Sequence, residues 1–178
     1  MRIVAGSRKG HTIYAPKGLD TRPTGDRVRE AAFNLIGPVE GTSVLDLFAG
    51  SGAMGLEALS RGAERATFVE SDRDACRTIN RNLDKLELTG ATVLCQDALI
   101  ALRADAGAGR RYDLVLVDPP YRRFSSLQNA LIQYLPEILA PGGTLLVETA
   151  ADEEPELPLA KRTSRRYGSA RLTLFEHE

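Results

Sequence analysis

The sequence predicts an α/β fold in which a mostly parallel β-sheet carries helices on both faces. Short apolar, β-branched segments alternate along the chain with longer segments whose apolar residues recur at helical spacing. One apolar segment leads into a glycine-rich turn and a helix, and another is closed by two prolines. Ligands of open parallel sheets bind at the carboxyl ends of the strands, so we expect the functional residues there.

Turn and cap signals place the elements in order. Extended segments 3–6 and 12–15 favour a β-hairpin, and a linker with Pro16, Gly18 and Pro23 follows it. Thr24 or Asp26 can cap a first helix that ends before Gly37. The remaining pattern predicts strands over 43–48, 66–70, 92–96, 112–117 and 144–148, helices that end near 61, 86, 104 and 139, a flexible stretch over 106–109, a turn over 141–143, and a closing antiparallel hairpin of 161–167 and 171–175.

The tetrapeptide Asp118-Pro119-Pro120-Tyr121 ends the apolar run 112–117. The prolines fix the backbone and remove two N–H donors, so a stiff segment presents carbonyl acceptors beside a carboxylate and an aromatic ring. That combination suits a flat heterocycle with an amino group. The alternative is a buried strand end whose aspartate caps the next turn.

The second signal is Gly50-x-Gly52-x-x-Gly55, which follows the strand that ends at Phe48. Alone it is shared by many nucleotide sites, or is only a tight strand-to-helix turn. Glu70 ends the next strand twenty positions after Gly50, where a carboxylate can accept both ribose hydroxyls of an adenosine. Asp97 ends the third strand and could receive an adenine amino group.

Together, Asp46-x-Phe48-Ala49-Gly50-Ser51-Gly52, Glu70 and the tetrapeptide resemble class I S-adenosylmethionine-dependent methyltransferases that alkylate exocyclic amines. The N-terminal stretch with Arg22-Pro23-Thr24 and Arg27-Val28-Arg29-Glu30 is similar to the RsmD family of 16S ribosomal RNA (guanine-N2)-methyltransferases. The resemblance implies a Rossmann-like, seven-stranded sheet and a catalytic segment Asp118, Pro119, Pro120 and Tyr121. It also implies S-adenosylmethionine as cofactor, bound by Asp46, Phe48, Ala49, Gly50, Ser51, Gly52, Glu70, Ser71, Asp97, Ala98 and Asp118.

Positive charge is concentrated at the beginning of the chain, since residues 1–30 carry a net charge of +4 within a total of −1. Local positive charge favours phosphate contacts, so we expect residues 1–22 to form a β-hairpin arm for ribosomal RNA, separable from a catalytic domain of 23–178. The alternative is a solvated basic terminus. The expected RNA contacts are Arg2, Arg8, Lys9, Arg22, Thr24, Arg27 and Arg29.

Other residues narrow the class of protein. Cys76 and Cys95 are too few and too far apart for a disulfide framework or a zinc site, so we expect both to be reduced core residues. His11 and His177 lack metal-ligand spacing, and we expect no metal. Without an apolar stretch of membrane-spanning length or a leader pattern, we expect a cytoplasmic monomer that acts on a small-subunit assembly intermediate.

Two other classes of protein stay open on the residues alone. The glycine pattern followed by an acid also fits a nicotinamide-dependent oxidoreductase, although a hydride-transfer site has no use for the double-proline segment. A non-catalytic RNA-binding module is the second. Among methyltransferases, the residues by themselves do not choose between guanine N2, adenine N6 and cytosine N4, or between RNA and DNA.

Overall fold

The computed structural model describes residues 1–18 and 25–178. Its helices are α1 (Asp26–Ile36), α2 (Ala53–Ser60), α3 (Arg73–Leu86), α4 (Ala98–Gly107) and α5 (Phe124–Ile138). Its strands are β1 (Ser43–Leu47), β2 (Arg65–Glu70), β3 (Ala91–Cys95), β4 (Tyr112–Val117), β5 (Leu139–Ala150), β6 (Ala160–Tyr167) and β7 (Ala170–Glu176). A 3₁₀ turn, Tyr121–Arg123, leads into α5.

The seven strands form one sheet in the order β3-β2-β1-β4-β5-β7-β6. Strands β1 to β5 pair in parallel, while β7 pairs antiparallel with both β5 and β6. The strand order reverses between β1 and β4, because β2 and β3 extend the sheet to one side and β4 and β5 to the other. Such a switch point opens a crevice at the carboxyl ends of the strands. The predicted mostly parallel fold with a closing antiparallel hairpin is confirmed.

Two buried layers hold the helices on the sheet. Alternate strand residues point to opposite faces, so neighbours such as Val115 and Leu116 enter different layers. The first layer packs α1, α2 and α3 on one face, and the second packs α4 and α5 on the other. The helices thereby leave the carboxyl edge of the sheet to the loops that follow β1, β2, β3 and β4.

Three element boundaries differ from the predicted ones because contacts outside the predicted segments extend the elements. Helix α4 continues through Gly107, since buried Asp105 anchors its last turn by accepting a 2.8 Å hydrogen bond from the Tyr112 hydroxyl. The predicted turn over 141–143 lies within β5, where Gly142 and Gly143 pair with the backbone of His177. Helix α5 begins at Phe124, three residues before the predicted start, because the 3₁₀ turn runs directly into it.

The described part of the N-terminal segment, residues 1–18, packs against α2 and α3. Its predicted hairpin is reduced to one antiparallel bridge, between Arg2 and Thr12. Ile3 and Ile13 are buried in the layer that holds α1 to α3. Residues 1–18 therefore share the core of the body, and the expected boundary at residue 22 lies outside the described residues.

The cysteines differ from expectation. Cys76 at the start of α3 and Cys95 at the end of β3 are joined by a disulfide, with Cα atoms 6.0 Å apart. Only Cys76 is a core residue, since Cys95 is exposed. The prediction of two reduced core thiols was wrong because the β2–β3 pairing sets Cys95 opposite Glu70, just before α3 begins. A spacing of 19 residues along the chain does not reveal that proximity.

Candidate cofactor and base-binding site

The loop after β1 has an unusual backbone. Phe48 and Glu87 are the non-glycine residues with positive φ in the part of the chain that the structure describes, and Phe48 has φ of 63°. Gly50 and Gly52 follow with φ of 57° and 80°. Backbone in this region is strained for a residue with a side chain, and such strain occurs preferentially at ligand sites. The residues predicted as a cofactor loop thus form a tight turn into α2.

The three glycines of this loop have different surroundings. A Cβ built on Gly55 would meet the Phe68 ring at 2.4 Å, and one on Gly52 would meet the Ile79 side chain at 3.1 Å. These two glycines allow α2 to pack closely on β2 and α3. A Cβ on Gly50 would meet no atom within 4 Å. Packing does not require glycine there; its φ of 57° favours glycine, and the open space leaves room for a ligand to approach the backbone.

Glu70 at the end of β2 is tied to the loop that it faces. Its Oε2 accepts a 2.8 Å hydrogen bond from the Gly50 N–H, and its Oε1 accepts one of 2.9 Å from the Asp72 N–H. An ionised carboxylate offers about four lone-pair sites, so two acceptor positions remain for a ligand. The carboxylate is held rigidly beside Gly50, where the sequence predicted a ribose contact.

Asp46 lies beneath the loop rather than on its surface. Its side chain is buried, and its Oδ2 accepts a 2.9 Å hydrogen bond from the Gly55 N–H at the start of α2. Burial raises the pKa of this carboxyl to about 7; the Gly55 hydrogen bond opposes the rise and the neighbouring Glu70 charge adds to it. We therefore assign Asp46 the role of shaping the loop, whereas the sequence had grouped it with the cofactor contacts.

The other predicted cofactor residues lie along the same edge. Asp97 caps α4, because its Oδ1 accepts hydrogen bonds from the N–H groups of Leu99 and Ile100 at 2.9 and 3.3 Å. Ala98 behind it is buried, and Ser71 after β2 is exposed. Asp97 therefore has a structural role in the helix cap besides its predicted role towards adenine.

The tetrapeptide leaves the sheet next to the glycine loop. Leu47 pairs with Val117, and the next residue, Asp118, donates its N–H towards the Leu47 carbonyl at 3.5 Å. Pro120 precedes the 3₁₀ turn, whose first residue, Tyr121, is 37% exposed. The carboxylate, the proline carbonyls and the ring are thus delivered together at the carboxyl edge.

Sequence reasoning missed two polar residues at or near this site. Glu148 near the end of β5 accepts a 3.1 Å hydrogen bond from the Tyr121 hydroxyl. Buried Asn82 of α3 donates to the Ser51 carbonyl of the loop and also to the Tyr14 carbonyl, at 3.2 and 3.0 Å. Glu148 follows the apolar run of β5 as Asp118 follows that of β4, so the strand-end rule could have found it. Nothing local in the sequence marks Asn82.

Two of the cations predicted to contact RNA have structural roles. Arg29 is fully buried and forms an ion pair of 3.3 Å with buried Glu57, so it is not available to a phosphate. Arg8 donates to the Leu86 and Glu87 carbonyls at the end of α3, where a cation offsets the helix dipole.

The remaining predicted RNA residues divide into exposed and undescribed ones. Arg2, Lys9 and Arg27 are exposed. Arg22 and Thr24 lie outside the described residues. Two cations that the sequence analysis did not select, Arg122 and Arg123, are exposed directly after Tyr121. They are the basic residues next to the tetrapeptide in the chain.

Two other features are absent from residues 1–18 and 25–178. No helix there is both long and apolar enough to cross a membrane. No group of three or more histidine, cysteine or acidic side chains is arranged there to hold a metal ion.

The strand order, the strained glycine loop after β1 and the acid after β2 define a class I methyltransferase fold. The family model described as Conserved hypothetical protein 95 matches residues 1–176, and the chain belongs to this family, the RsmD family. The resemblance stated from the sequence is thereby confirmed.

Individual relatives agree with this assignment. The chain is 43% identical over 162 residues to a putative rRNA methyltransferase of Bacillus subtilis, covering 89% of this chain and 86% of the relative. It is 44% identical over 124 residues to the ribosomal RNA small subunit methyltransferase D of Escherichia coli, covering 69% of this chain and 61% of the relative. A solved structure of a putative methyltransferase from Escherichia coli superimposes with a TM-score of 0.87 at 34% identity, over 100% of this chain and 98% of that chain.

Proposed function

We propose that this protein transfers a methyl group from S-adenosylmethionine to the exocyclic N2 amine of a guanine in 16S ribosomal RNA. One observation carries the proposal: the tetrapeptide Asp118–Tyr121 and the loop at Gly50 follow adjacent paired strands at the same edge of the sheet. An amine-binding segment is therefore beside a loop suited to an adenosine cofactor. The names of the relatives, which are rRNA methyltransferases, support the same reading.

The residues at the edge fit S-adenosylmethionine. Space for a ligand lies over Gly50, and Glu70 retains acceptor capacity for the ribose hydroxyls. Asp97 and Ala98 are placed at the next strand end for the adenine ring. When bound, the cofactor supplies an electrophilic methyl group on a sulfonium sulfur.

The chemistry requires an activated amine. The lone pair of a guanine N2 amine is delocalised into the ring, so the amine must be held with that lone pair directed at the methyl carbon. The Asp118 carboxylate and the Pro119 carbonyl accept its two hydrogens, and the Tyr121 ring stacks on the base to replace the stacking lost on extrusion. With the cofactor bound, the N–C bond would form as the C–S bond breaks, and the Asp118 carboxylate would accept the proton that the methylated amine loses. Alignment of this kind contributes up to about 7 kcal/mol.

The proposed substrate is large, and we expect exposed cations to hold it. Arg122 and Arg123 follow the tetrapeptide directly, and Arg2, Lys9 and Arg27 are exposed on the N-terminal part of the chain. Contacts to phosphates position an RNA without reading its sequence. We infer that the enzyme acts as a cytoplasmic monomer on an assembly intermediate of the small ribosomal subunit.

The identity of the reaction is tested by product analysis. The protein is incubated with methyl-labelled cofactor and, separately, with ribosomal RNA, small-subunit particles and DNA, and the modified nucleoside is identified by mass spectrometry. We expect N2-methylguanosine from ribosomal RNA or particles. Methylated adenine or cytosine would contradict the proposed base, and tight binding of a nicotinamide cofactor would contradict the class of enzyme.

The roles of the two acids are separated by binding and rate. Glu70→Ala removes hydrogen bonds to the ribose and should weaken S-adenosylmethionine binding by about 1.5–3 kcal/mol, measured by titration calorimetry. Asp118→Ala should keep most of the cofactor affinity but greatly lower the single-turnover rate, because its hydrogen bond strengthens as charge develops on the amine. Equal losses of affinity in both variants would contradict the division of roles.

A further inference from the structure

Glu148 is a carboxylate that the mechanism above does not use, although it lies beside the residues that bind the base. Val117 is the last residue of β4 and pairs with Val147 of β5, so Asp118 leaves the sheet beside the point where β5 reaches Glu148. Leu116 and Leu146, two residues earlier, both enter the layer beneath α1 to α3. Because side chains alternate along a strand, Glu148 extends from the face of the sheet on which Leu146 is buried, and the Tyr121 hydroxyl reaches it.

The hydrogen bond from Tyr121 fixes the position of Glu148 relative to the base. The Tyr121 hydroxyl donates to Glu148 Oε1 at 3.1 Å. A phenol hydroxyl lies at the rim of its ring, so the carboxylate is held at the rim and not over the face. A base that stacks on the partly exposed ring therefore presents an edge to Glu148 while its amine reaches Asp118.

The three bases with exocyclic amines differ at the ring position beside the amine. Guanine carries an N1–H donor next to its N2 amine, whereas adenine N1 and cytosine N3 are lone-pair acceptors. A carboxylate attracts an N–H and repels a lone pair. Asp118 cannot make this distinction alone, because all three bases offer it an amine.

We propose that Glu148 is the residue that selects guanine, by accepting a hydrogen bond from N1–H while Asp118 and the Pro119 carbonyl hold the N2 amine. The inference rests on the proposed function and deepens it, since it assigns the choice of base to one side chain. A site built to receive an N–H rejects an analogue that lacks it, because its own polar group is left unpaired.

The test changes the group on each side of this contact. The guanosine that the wild-type enzyme methylates is replaced, in RNA joined from synthetic and transcribed pieces, by 2-aminopurine, which keeps the amine but lacks O6 and has a bare N1 acceptor. For each enzyme, the single-turnover rate on the guanine RNA is divided by the rate on the 2-aminopurine RNA. Glu148→Gln presents an amide N–H that can donate to the bare N1. We expect its ratio to be at least about tenfold smaller than the wild-type ratio.

The ratio separates selection from general loss of activity, because any difference in intrinsic reactivity between the two bases affects all enzymes equally. Glu137→Gln removes the same charge from an exposed position at the end of α5 and should keep the wild-type ratio. If wild type methylates guanine N2 but Glu148→Gln keeps the wild-type ratio, the role of Glu148 is overturned and the proposed function stands. If wild type methylates adenine or cytosine, or no RNA base, both are overturned.

Discussion

At the scale of single residues, the acids of this edge have separate tasks that their sequence positions do not distinguish. Glu70 and Asp118 end strands and reach the surface of the crevice, as the strand-end rule predicts. Asp46 is the residue before the last of β1, and it stabilises the start of α2 by accepting the Gly55 N–H. All three were assigned to the cofactor from the sequence. A motif gives the order and spacing of residues but does not show whether a side chain is buried beneath the site or exposed in it.

Asp46 provides a prediction about pH. The free carboxyl titrates near 3.8, whereas burial raises the pKa of Asp46 to about 7 in the folded protein. Between these values the folded state holds a proton that the unfolded chain has released. Its contribution to stability is therefore complete below about pH 4 and is lost as pH rises to about 7, by up to about 1.4 kcal/mol per pH unit.

The measurement compares wild type with Asp46→Asn, which retains an oxygen acceptor for the Gly55 N–H but does not titrate. Urea unfolding from pH 4 to pH 8 gives the free energy of unfolding of each protein. We expect the wild-type value to fall relative to Asp46→Asn between pH 4 and 7 and the difference to level off above. A difference that does not change with pH would show that Asp46 is already ionised throughout this range.

Residue contacts also explain why one cation predicted to contact RNA is buried. Arg29 belongs to a basic N-terminal stretch, which favours a solvent-exposed role, yet Glu57 lies opposite it on α2. The same Glu57 accepts the N–H groups of Val4 and Ala5 at 2.9 Å. A partner 28 residues away decides whether a cation is buried, and composition does not contain that information.

At the scale of elements, helix periods and turn residues predicted the order of the fold, and long-range pairing set the details. All five helices and seven strands of the described chain lie close to predicted segments. Two of the misplaced boundaries are fixed by partners in other elements, Tyr112 for the end of α4 and His177 for the start of β5. Local propensity alone could not have placed them.

Two glycines of the loop after β1 are predicted to have different roles, one in cofactor binding and one in packing. Gly50→Ala meets no atom within 4 Å but occupies the space given to the cofactor, and its positive φ costs about 1 kcal/mol of stability. We expect a large loss of S-adenosylmethionine affinity in this variant. Gly55→Ala drives a methyl group into the Phe68 ring, so it should lose about 1–3 kcal/mol of stability before it affects binding.

The control for the loop is Gly109→Ala, whose φ of 68° and open surroundings match those of Gly50 at the opposite edge of the sheet. It should show the same small loss of stability in urea unfolding and an unchanged affinity in calorimetry. Equal affinities of Gly50→Ala and Gly109→Ala would mean that the cofactor does not approach this loop.

At the scale of the whole molecule, the N-terminal segment is part of the body. Ile3 and Ile13 enter the common core, and Asn82 connects Tyr14 with the glycine loop. The sequence favoured a separable arm because its extended pieces are too short for a core of their own. The structure gives those pieces the surface of α2 and α3 to pack on. Removal of residues 1–18 would uncover that surface, so point variants are the better test of RNA binding.

The distribution of exposed charge leads to a prediction about RNA affinity. The chain has a net charge of −1, so binding depends on where its cations lie and not on their total. Arg122 and Arg123 are exposed next to Tyr121, whereas Arg111 is exposed at the start of β4, at the far edge of the sheet. If the target base enters at Tyr121, the phosphates beside it come within reach of Arg122 and Arg123 but not of Arg111.

Replacement of Arg122 and Arg123 by glutamine should therefore flatten the slope of log affinity against log salt concentration by about 0.7–0.9 for each phosphate that the protein no longer neutralises. Arg111→Gln removes a positive charge of the same kind and should leave the slope unchanged. Binding of ribosomal RNA is measured by fluorescence anisotropy over a series of salt concentrations. If Arg111→Gln flattened the slope as much as replacement of Arg122 or Arg123, the RNA would be held by diffuse charge. The substrate would then not enter specifically beside the Asp118–Tyr121 tetrapeptide.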